Sequence, residues 1–284
     1  MKKSIHASVF ALRPKQWVKN LLLFVAPFAA GGIATQEIFF SIVGFLAFSI
    51  ASSVGYILND LRDIENDQKH PKKKSRPFAS GILTVRAGFL IVGVLVLILL
   101  PLLFHLPRPF TVVVIIYTLN TLLYTRFLKY VPVLEMFAVA FGFVLRLIAG
   151  GLVVNLAISE WFLLVGGFGA LFVVAEKRLA EKKQADSREV RQVVKDYTPE
   201  FLYSSTAISV AICVTSYCFW AFRQSINPFW FQLSVIPFVM ALFQYRWLSE
   251  RDGIEAPEDA ILRDFPLLIL ALLCVISLSI GIYK

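Results

Sequence analysis

Of 284 residues, 58% are hydrophobic and only 17% charged, with a mean hydropathy of +0.72, whereas a soluble domain carries about a quarter charged residues. That excludes a water-soluble globular protein, and the continuous runs of Leu, Val, Ile and Phe exclude the short alternating segments of a β-barrel. The net charge of +9 concerns the membrane surface and anionic ligands, not nucleic acid.

The chain reads as an all-α, multi-pass bundle of about nine membrane-crossing helices, a single transmembrane domain over 1–284. First comes 13-RPKQWVKN-20, with a Pro suited to a helix start, an interfacial Trp17, and Lys15 and Lys19 as candidate ligands; an amphipathic interfacial anchor would look the same. Apolar runs follow at 20–35 and 38–58, with no small-residue cleavage pattern, so no removable signal peptide is expected. The charged stretch 58-LNDLRDIENDQKHPKKKSRPFASG-81 comes next, then runs at 85–104 and 109–128 joined by a short loop, 124-YTRFLKYVPVLE-135, to a run at 131–154. That run contains Arg146, a costly charge unless it is paired or faces a polar cavity. The remaining runs lie at 159–175, 203–222, 228–246 and 265–283, with a second charged stretch, 174-VAEKRLAEKK-183, behind the sixth. Cys213, Cys218 and Cys274 fall inside runs without metal or redox spacing and read as small apolar residues, and three scattered His give no zinc or haem pattern.

Of the 28 cations, 24 lie on the N-terminal segment and on the loops after even-numbered helices, which predicts a cytoplasmic N-terminus, an outside C-terminus and a cell (inner) membrane location. The two long loops, about 59–86 and 176–202, stand four helices apart, as in two related four-helix halves plus one helix. Halves related by an axis along the membrane normal would bring both loops over one cytoplasm-facing cavity. A homo-oligomer is compatible with such a bundle.

Asn59, Asp63 and Asp67 repeat at i, i+4 and i+8 on a helix, with Asp60 on nearly the same face. Converging carboxylates repel one another, and Mg²⁺ with substrate phosphate oxygens relieves this, so the cluster reads as a Mg²⁺–diphosphate site. A solvated helix end paired with the following lysines is the plainer alternative, disfavoured because the acids continue a transmembrane helix. Lys72, Lys73, Lys74 and Arg76 follow as phosphate-oxygen ligands or as a strip on anionic lipid, with Arg76 before its rigid Pro77 the favoured ligand. At the same rim stand Tyr124 and Lys129, and in the second stretch Lys177, Arg178 and Glu181, where positive-inside anchoring already explains Lys182 and Lys183.

The stretch 59-NDLRDIEND-67 resembles the N-D-x-x-D-x-x-x-D motif of UbiA-type membrane prenyltransferases. RPKQWVKNLLLF, HPKKKSRPFASG, YTRFLKYVPVLE, GFVLRLIAGG, SEWFLLVGGFGALFVVAEKRLAE and PED resemble, over nearly the whole chain, that superfamily's decaprenyl-phosphate phosphoribosyltransferase branch. The chain departs from the branch at Glu135, where Asp is usual, and at Glu176, where Gly is usual. Lys177, Arg178 and Glu181 stand where aromatic prenyltransferases carry a second D-x-x-x-D. The resemblance implies transfer of 5-phosphoribose from phosphoribosyl diphosphate to a polyprenyl phosphate lipid, releasing diphosphate, for arabinan precursors of the cell wall. Asp60, Asp63 and Asp67 would hold Mg²⁺ in the catalytic centre. Lys177 and Arg178 would hold the 5-phosphate, and Arg76, Lys129 or Arg146 the acceptor phosphate. An aromatic polyprenyltransferase using the same acids on a prenyl diphosphate is the alternative, and an anionic-solute transporter is disfavoured because the charge lies at one face.

Overall fold

The computed structural model describes residues 2–31, 35–69, 73–183, 192–253 and 257–284. His70 and Lys72 of the basic stretch and residues 184–191 of the second long loop lie outside them. Among the described residues there is no strand. In chain order the helices are α1 (Lys2–Ala11), a 3-10 helix (Pro14–Phe24), α2 (Val25–Ala29), α3 (Thr35–Arg62), α4 (Ile64–Lys69), α5 (Val85–His105), α6 (Arg108–Arg126), α7 (Leu134–Leu152), α8 (Glu160–Lys183), α9 (Gln192–Asp196), α10 (Pro199–Phe222), α11 (Pro228–Asp252), α12 (Pro257–Arg263) and α13 (Phe265–Tyr283). They form two compact units: Met1–Phe28, Gly32–Arg126 and Leu145–Ala157 make the first, and Ala29–Gly31, Phe127–Val144 and Ile158–Lys284 the second.

Local sequence sets the helix ends. Thr84, Thr198 and Asp264 cap α5, α10 and α13, their side-chain oxygens accepting from Ala87, Phe201 and Leu267 N–H, which satisfies a donor that helix geometry leaves unpaired. Gly253, at φ +63°, ends α11 in the left-handed region.

In the first unit the 3-10 helix explains why the N-terminal block is so particular. At three residues per turn, Trp17, Asn20 and Leu23 lie on one line, spaced by about 6 Å, the rise of four α-helical residues. That line therefore stays in register with positions four apart on α-helices. Trp17 Nε1 donates to Ser53 Oγ (3.1 Å) and Asn20 Nδ2 to Ser49 Oγ (2.9 Å) on α3, while Asn20 Oδ1 accepts from Arg146 Nε (2.8 Å) on α7. Leu23 runs against Gly150, where a Cβ would come within 2.1 Å of the Leu23 carbonyl oxygen. The core beneath is built from Phe48, Phe110, Val114, Tyr117 and Ala149, all buried.

In the second unit α8 is buried on two faces. Val174, Ala175 and Leu179 pack with Met136, Ala140, Val193, Val194 and Leu202, and Phe172 packs with Tyr245, Leu248, Ala260 and Leu267. Its polar end therefore has little solvent, and Glu176 and Arg178 are 0% and 2% exposed.

Elsewhere the apolar surface points outward. The most apolar stretch of α5 is only 11% buried, whereas those of α3 and α7 are 56% and 61% buried. Lipid, not protein, is the complement of such a helix. Among the described residues six helices are long and apolar enough to cross a membrane: α3, α5, α7, α10, α11 and α13. Of the other three expected spans, α6 and α8 form as helices of 19 and 24 residues diluted by polar side chains. The first, 20–35, is not one α-helix but the tail of the 3-10 helix followed by the five residues of α2. All three cysteines are free, with Cys213 buried.

Candidate active site

The expected helical face of four polar residues is bent. α3 ends at Arg62 and α4 begins at Ile64, so Asp63 sits at a bend, although Asp63 N–H still donates to Asn59 O (3.0 Å) and Asp67 N–H to Asp63 O (2.8 Å). Asp60 and Asp67 are 2% and 4% exposed, and Asn59 and Asp63 are half-buried.

Two arginines meet the buried acids. Arg76 Nη1 donates to Asp67 Oδ2 at 2.7 Å and to Asp60 Oδ1 at 3.2 Å, so one nitrogen serves both carboxylates. Arg13 Nη2 donates to the same Asp60 oxygen at 2.5 Å, with its guanidinium 5.2 Å from the Tyr56 ring centroid. Arg76 leaves a short 3-10 turn, Lys73–Ser75, closed by its own N–H on Lys73 O (2.9 Å). Arg13 is presented by a left-handed backbone, φ +54°, strain of about 1–3 kcal/mol for a residue other than glycine.

Among the described residues no three His, Cys, Asp or Glu side chains come together as a metal cage. Mg²⁺ needs none, since it is held by one or two carboxylates with water and substrate phosphate completing its shell. Asp60 and Asp67 already share a cationic nitrogen, and their donor atoms are hard oxygens, so this pair fits that ion.

Arg146 is 5% exposed in the first unit. Besides the bond to Asn20, its Nη2 donates to Tyr117 Oη (2.9 Å), and the guanidinium lies 4.7 Å from the Tyr117 ring centroid and 5.4 Å from that of Phe48. Amide, phenol and ring faces together replace the hydration a buried guanidinium loses.

In the second unit Arg178 is the centre. Its Nε and Nη2 donate to the two oxygens of fully buried Glu135 at 2.6 and 2.7 Å, and Nη1 donates to both oxygens of Glu181 at 3.1 Å. Tyr197 Oη accepts from Val133 N–H (2.8 Å) and donates to Glu135 Oε1 (3.4 Å). Burial pushes the Tyr197 phenol up to about 12; the Glu135 carboxylate adds to the rise and the Val133 N–H opposes it, so the hydroxyl stays protonated near neutral pH. Val133 has φ +67°, an outlier for a β-branched residue.

Lys15 and Lys74 are exposed, and Lys19, Tyr124, Lys129 and Lys177 are half-buried; Lys129 Nζ lies 5.2 Å from the Tyr130 ring centroid. Sequence reasoning gave Arg13 and Asn20 no role of their own within the RPKQWVKN block, noted Glu135 at the cytoplasmic rim and as a departure from the branch, and passed over Tyr197. Arg13 stands 47 residues from Asp60 and Tyr197 stands 62 from Glu135, contacts that spacing along one helix does not reveal. The signal available for Arg13 was its place directly before Pro14, where a helix-start proline fixes the chain on which the arginine sits.

Residues 21–265 match the UbiA prenyltransferase family. The chain belongs to that family. UbiA membership together with six apolar helices makes it an integral membrane protein and an enzyme of the transferase class. Among curated proteins it is 36% identical over 272 residues to the decaprenyl-phosphate phosphoribosyltransferase of Mycobacterium tuberculosis, covering 93% of this chain and 90% of that one. It is 34% identical over 284 residues to the enzyme of the same name from Corynebacterium glutamicum, covering 96% and 86%. Among solved structures, a UbiA homolog from Archaeoglobus fulgidus bound to GPP and Mg²⁺ superposes with a TM-score of 0.75 over 98% of this chain and 100% of that one; at 17% identity this likeness concerns the fold.

Proposed function

We propose that this UbiA protein transfers 5-phosphoribose from 5-phosphoribosyl 1-diphosphate to a polyprenyl phosphate of the decaprenyl type, releasing diphosphate at the cytoplasmic face of the cell membrane. The observation that carries the reading is the single nitrogen of Arg76 shared by buried Asp60 and Asp67, two acids already set to hold one cation between them. The choice of substrates rests on the near full-length likeness to enzymes of that name. Orientation with the N-terminus cytoplasmic and the C-terminus outside follows the cation distribution. The family match runs across both units, which supports one transmembrane domain.

In this reaction the bond from ribose C1 to the diphosphate oxygen breaks, the diphosphate leaving with the electron pair, and a phosphate oxygen of the lipid bonds to C1. Bound Mg²⁺ would neutralise charge on the leaving diphosphate. Asp60 and Asp67 would hold that cation, with Asn59 at the end of α3 and Asp63 at the bend before α4. Arg13 and Arg76 turn their freed N–H groups to phosphate oxygens, where a planar fork binds well. The acceptor is a phosphate monoester already anionic near neutral pH, so no general base is needed. Lys15, Lys19, Lys74, Tyr124, Lys129 and Arg146 remain candidate contacts for donor or acceptor phosphate, and Lys177 and Glu181 for the donor.

The test is to supply membranes bearing the protein with labelled phosphoribosyl diphosphate, polyprenyl phosphate and Mg²⁺, beside Asp60→Asn and Asp67→Asn. A labelled lipid that requires Mg²⁺ and vanishes in both variants is expected. Absence of that lipid, with prenylation of an aromatic acid from a prenyl diphosphate, would move the protein to aromatic polyprenyl transfer.

A further inference from the structure

We infer that Glu135, with Tyr197, is a positioning residue that acts through Arg178 to fix the carboxylate of Glu181 at the end of α8. The inference rests on the reading of Glu181 as part of the donor site.

The geometry runs in one direction, from buried to accessible. Glu135 is fully buried and engages Arg178 through two short bonds, 2.6 and 2.7 Å, the fork-to-fork pairing that fixes a guanidinium in plane and rotation. The opposite edge of that guanidinium then meets both oxygens of Glu181, whose side chain is 13% exposed. With Nε and Nη2 engaged by Glu135, the Nη1 edge of Arg178 is aimed at Glu181, so its part is to hold that carboxylate. Glu135 is held in turn. It follows Val133 by two residues, and the left-handed backbone there is pinned by the Tyr197 hydroxyl, which takes the Val133 N–H and gives its own hydrogen to Glu135.

Stability does not account for this arrangement. A buried ion pair is on average no better than apolar side chains of the same bulk, because desolvation offsets the attraction. The same helix offers a contrast in Glu176, also fully buried, whose ion pair with Arg246 spans 3.8 Å, too long for a hydrogen bond. The fold tolerates that loosely paired acid, yet gives Glu135, Arg178, Glu181 and Tyr197 mutually satisfied geometry.

The experiment uses the full-length protein in lipid nanodiscs and reads thermal midpoint, kcat, and KM separately for phosphoribosyl diphosphate and polyprenyl phosphate. Glu181→Gln tests the underlying reading and is expected to raise donor KM by about tenfold or more. The double variant Glu135→Leu/Arg178→Leu removes both fully buried charges together, so the one carboxylate that loses its partner is Glu181, which has access to solvent. It is expected to keep its midpoint while raising donor KM by about tenfold, with acceptor KM within about twofold. Glu135→Asp should rescue most of the donor affinity, and Tyr197→Phe should fall between. An impaired Glu181→Gln beside a double variant with unchanged donor KM overturns the positioning role. A silent Glu181→Gln overturns the site reading itself. Should the double variant fail to fold, Glu135→Gln and Tyr197→Phe decide the matter by the same readout, and unchanged donor KM in both overturns the inference.

Discussion

Arg76 Nη1 is one atom serving two carboxylates, and its removal has calculable consequences. In Arg76→Gln, Asp60 keeps Arg13 at 2.5 Å, while Asp67, 4% exposed, loses its partner at 2.7 Å. Breaking a buried ion pair by removing one member costs about 3–5 kcal/mol, and because the Arg76 side chain is 25% exposed, water reduces this to about 2–3 kcal/mol. For a chain of this size about 2 °C accompanies each kcal/mol, so the thermal midpoint should fall by about 5 °C. Mg²⁺ should reverse the loss without any substrate. In the wild type the ion must displace a guanidinium shared by both acids, whereas in the variant it meets the uncompensated charge of Asp67. The assay is melting followed by the five tryptophans in detergent micelles across a Mg²⁺ titration, with K⁺ holding ionic strength constant. A larger Mg²⁺-induced rise in the variant than in the wild type is expected. Equal rises would refute the argument that Asp60 and Asp67 share a cation position with Arg76.

Gly150→Ala should destabilise the protein by more than about 3 kcal/mol or prevent folding, because the new Cβ meets the Leu23 carbonyl, while Gly93→Ala on open α5 should be neutral or stabilising by up to about 1 kcal/mol; melting of the two variants checks both. Asn20→Leu leaves Arg146 Nε without its acceptor and should cost about 2–3 kcal/mol in the same assay, whereas Asn20→Asp, which keeps an acceptor, should not. The Tyr197 phenol, held at about 12 against a usual 10, stabilises the folded state where it is protonated. The midpoint gap between wild type and Tyr197→Phe should therefore stay flat from about pH 6 to 9 and shrink only as pH climbs from about 10 toward 12. Val133→Gly removes an exposed side chain from a left-handed backbone, so its midpoint should hold or rise; a fall of about 1 kcal/mol, the usual entropic cost of glycine, would contradict the strain assigned there.

Much of the fold was legible because a bilayer leaves so little choice: runs near 20 apolar residues must become helices, and α3, α5, α7, α10, α11 and α13 follow the runs closely. The first run misled because it begins inside the 3-10 helix Pro14–Phe24, and a 3-10 helix has no signature in hydropathy. In the candidate site, helical spacing placed Asp60 and Asp67 in one cluster, whereas Arg76, singled out for phosphate oxygens, is found on those two acids. Spacing along one helix could not show the bend at Asp63, nor that Arg13 arrives from the N-terminal block. Arg178 illustrates the harder limit. Its charge and its place at a helix end were visible, yet its role depends on Glu135, 43 residues earlier, which faces it only once the chain has folded.

Among the described residues four non-glycine residues lie in the left-handed region, and two are asparagines, Asn155 and Asn227, which adopt it at little cost. The other two are Arg13 and Val133, each beside a buried ion pair. A helix fixes the direction of every side chain it carries, so a charge on one helix can be brought onto a partner on another only if the connecting residue absorbs the misfit. Arg13 does so between α1 and the 3-10 helix, placing its guanidinium on Asp60, and Val133 does so at the start of α7, placing Glu135 on Arg178. The strain, about 1–3 kcal/mol at each, is of the order a buried charge pair can return only when its geometry is accurate. Helix packing alone would not concentrate such cost at these two positions. Its location argues that the accuracy of the two ion-pair clusters, more than the stability of the bundle, is what these segments of sequence maintain.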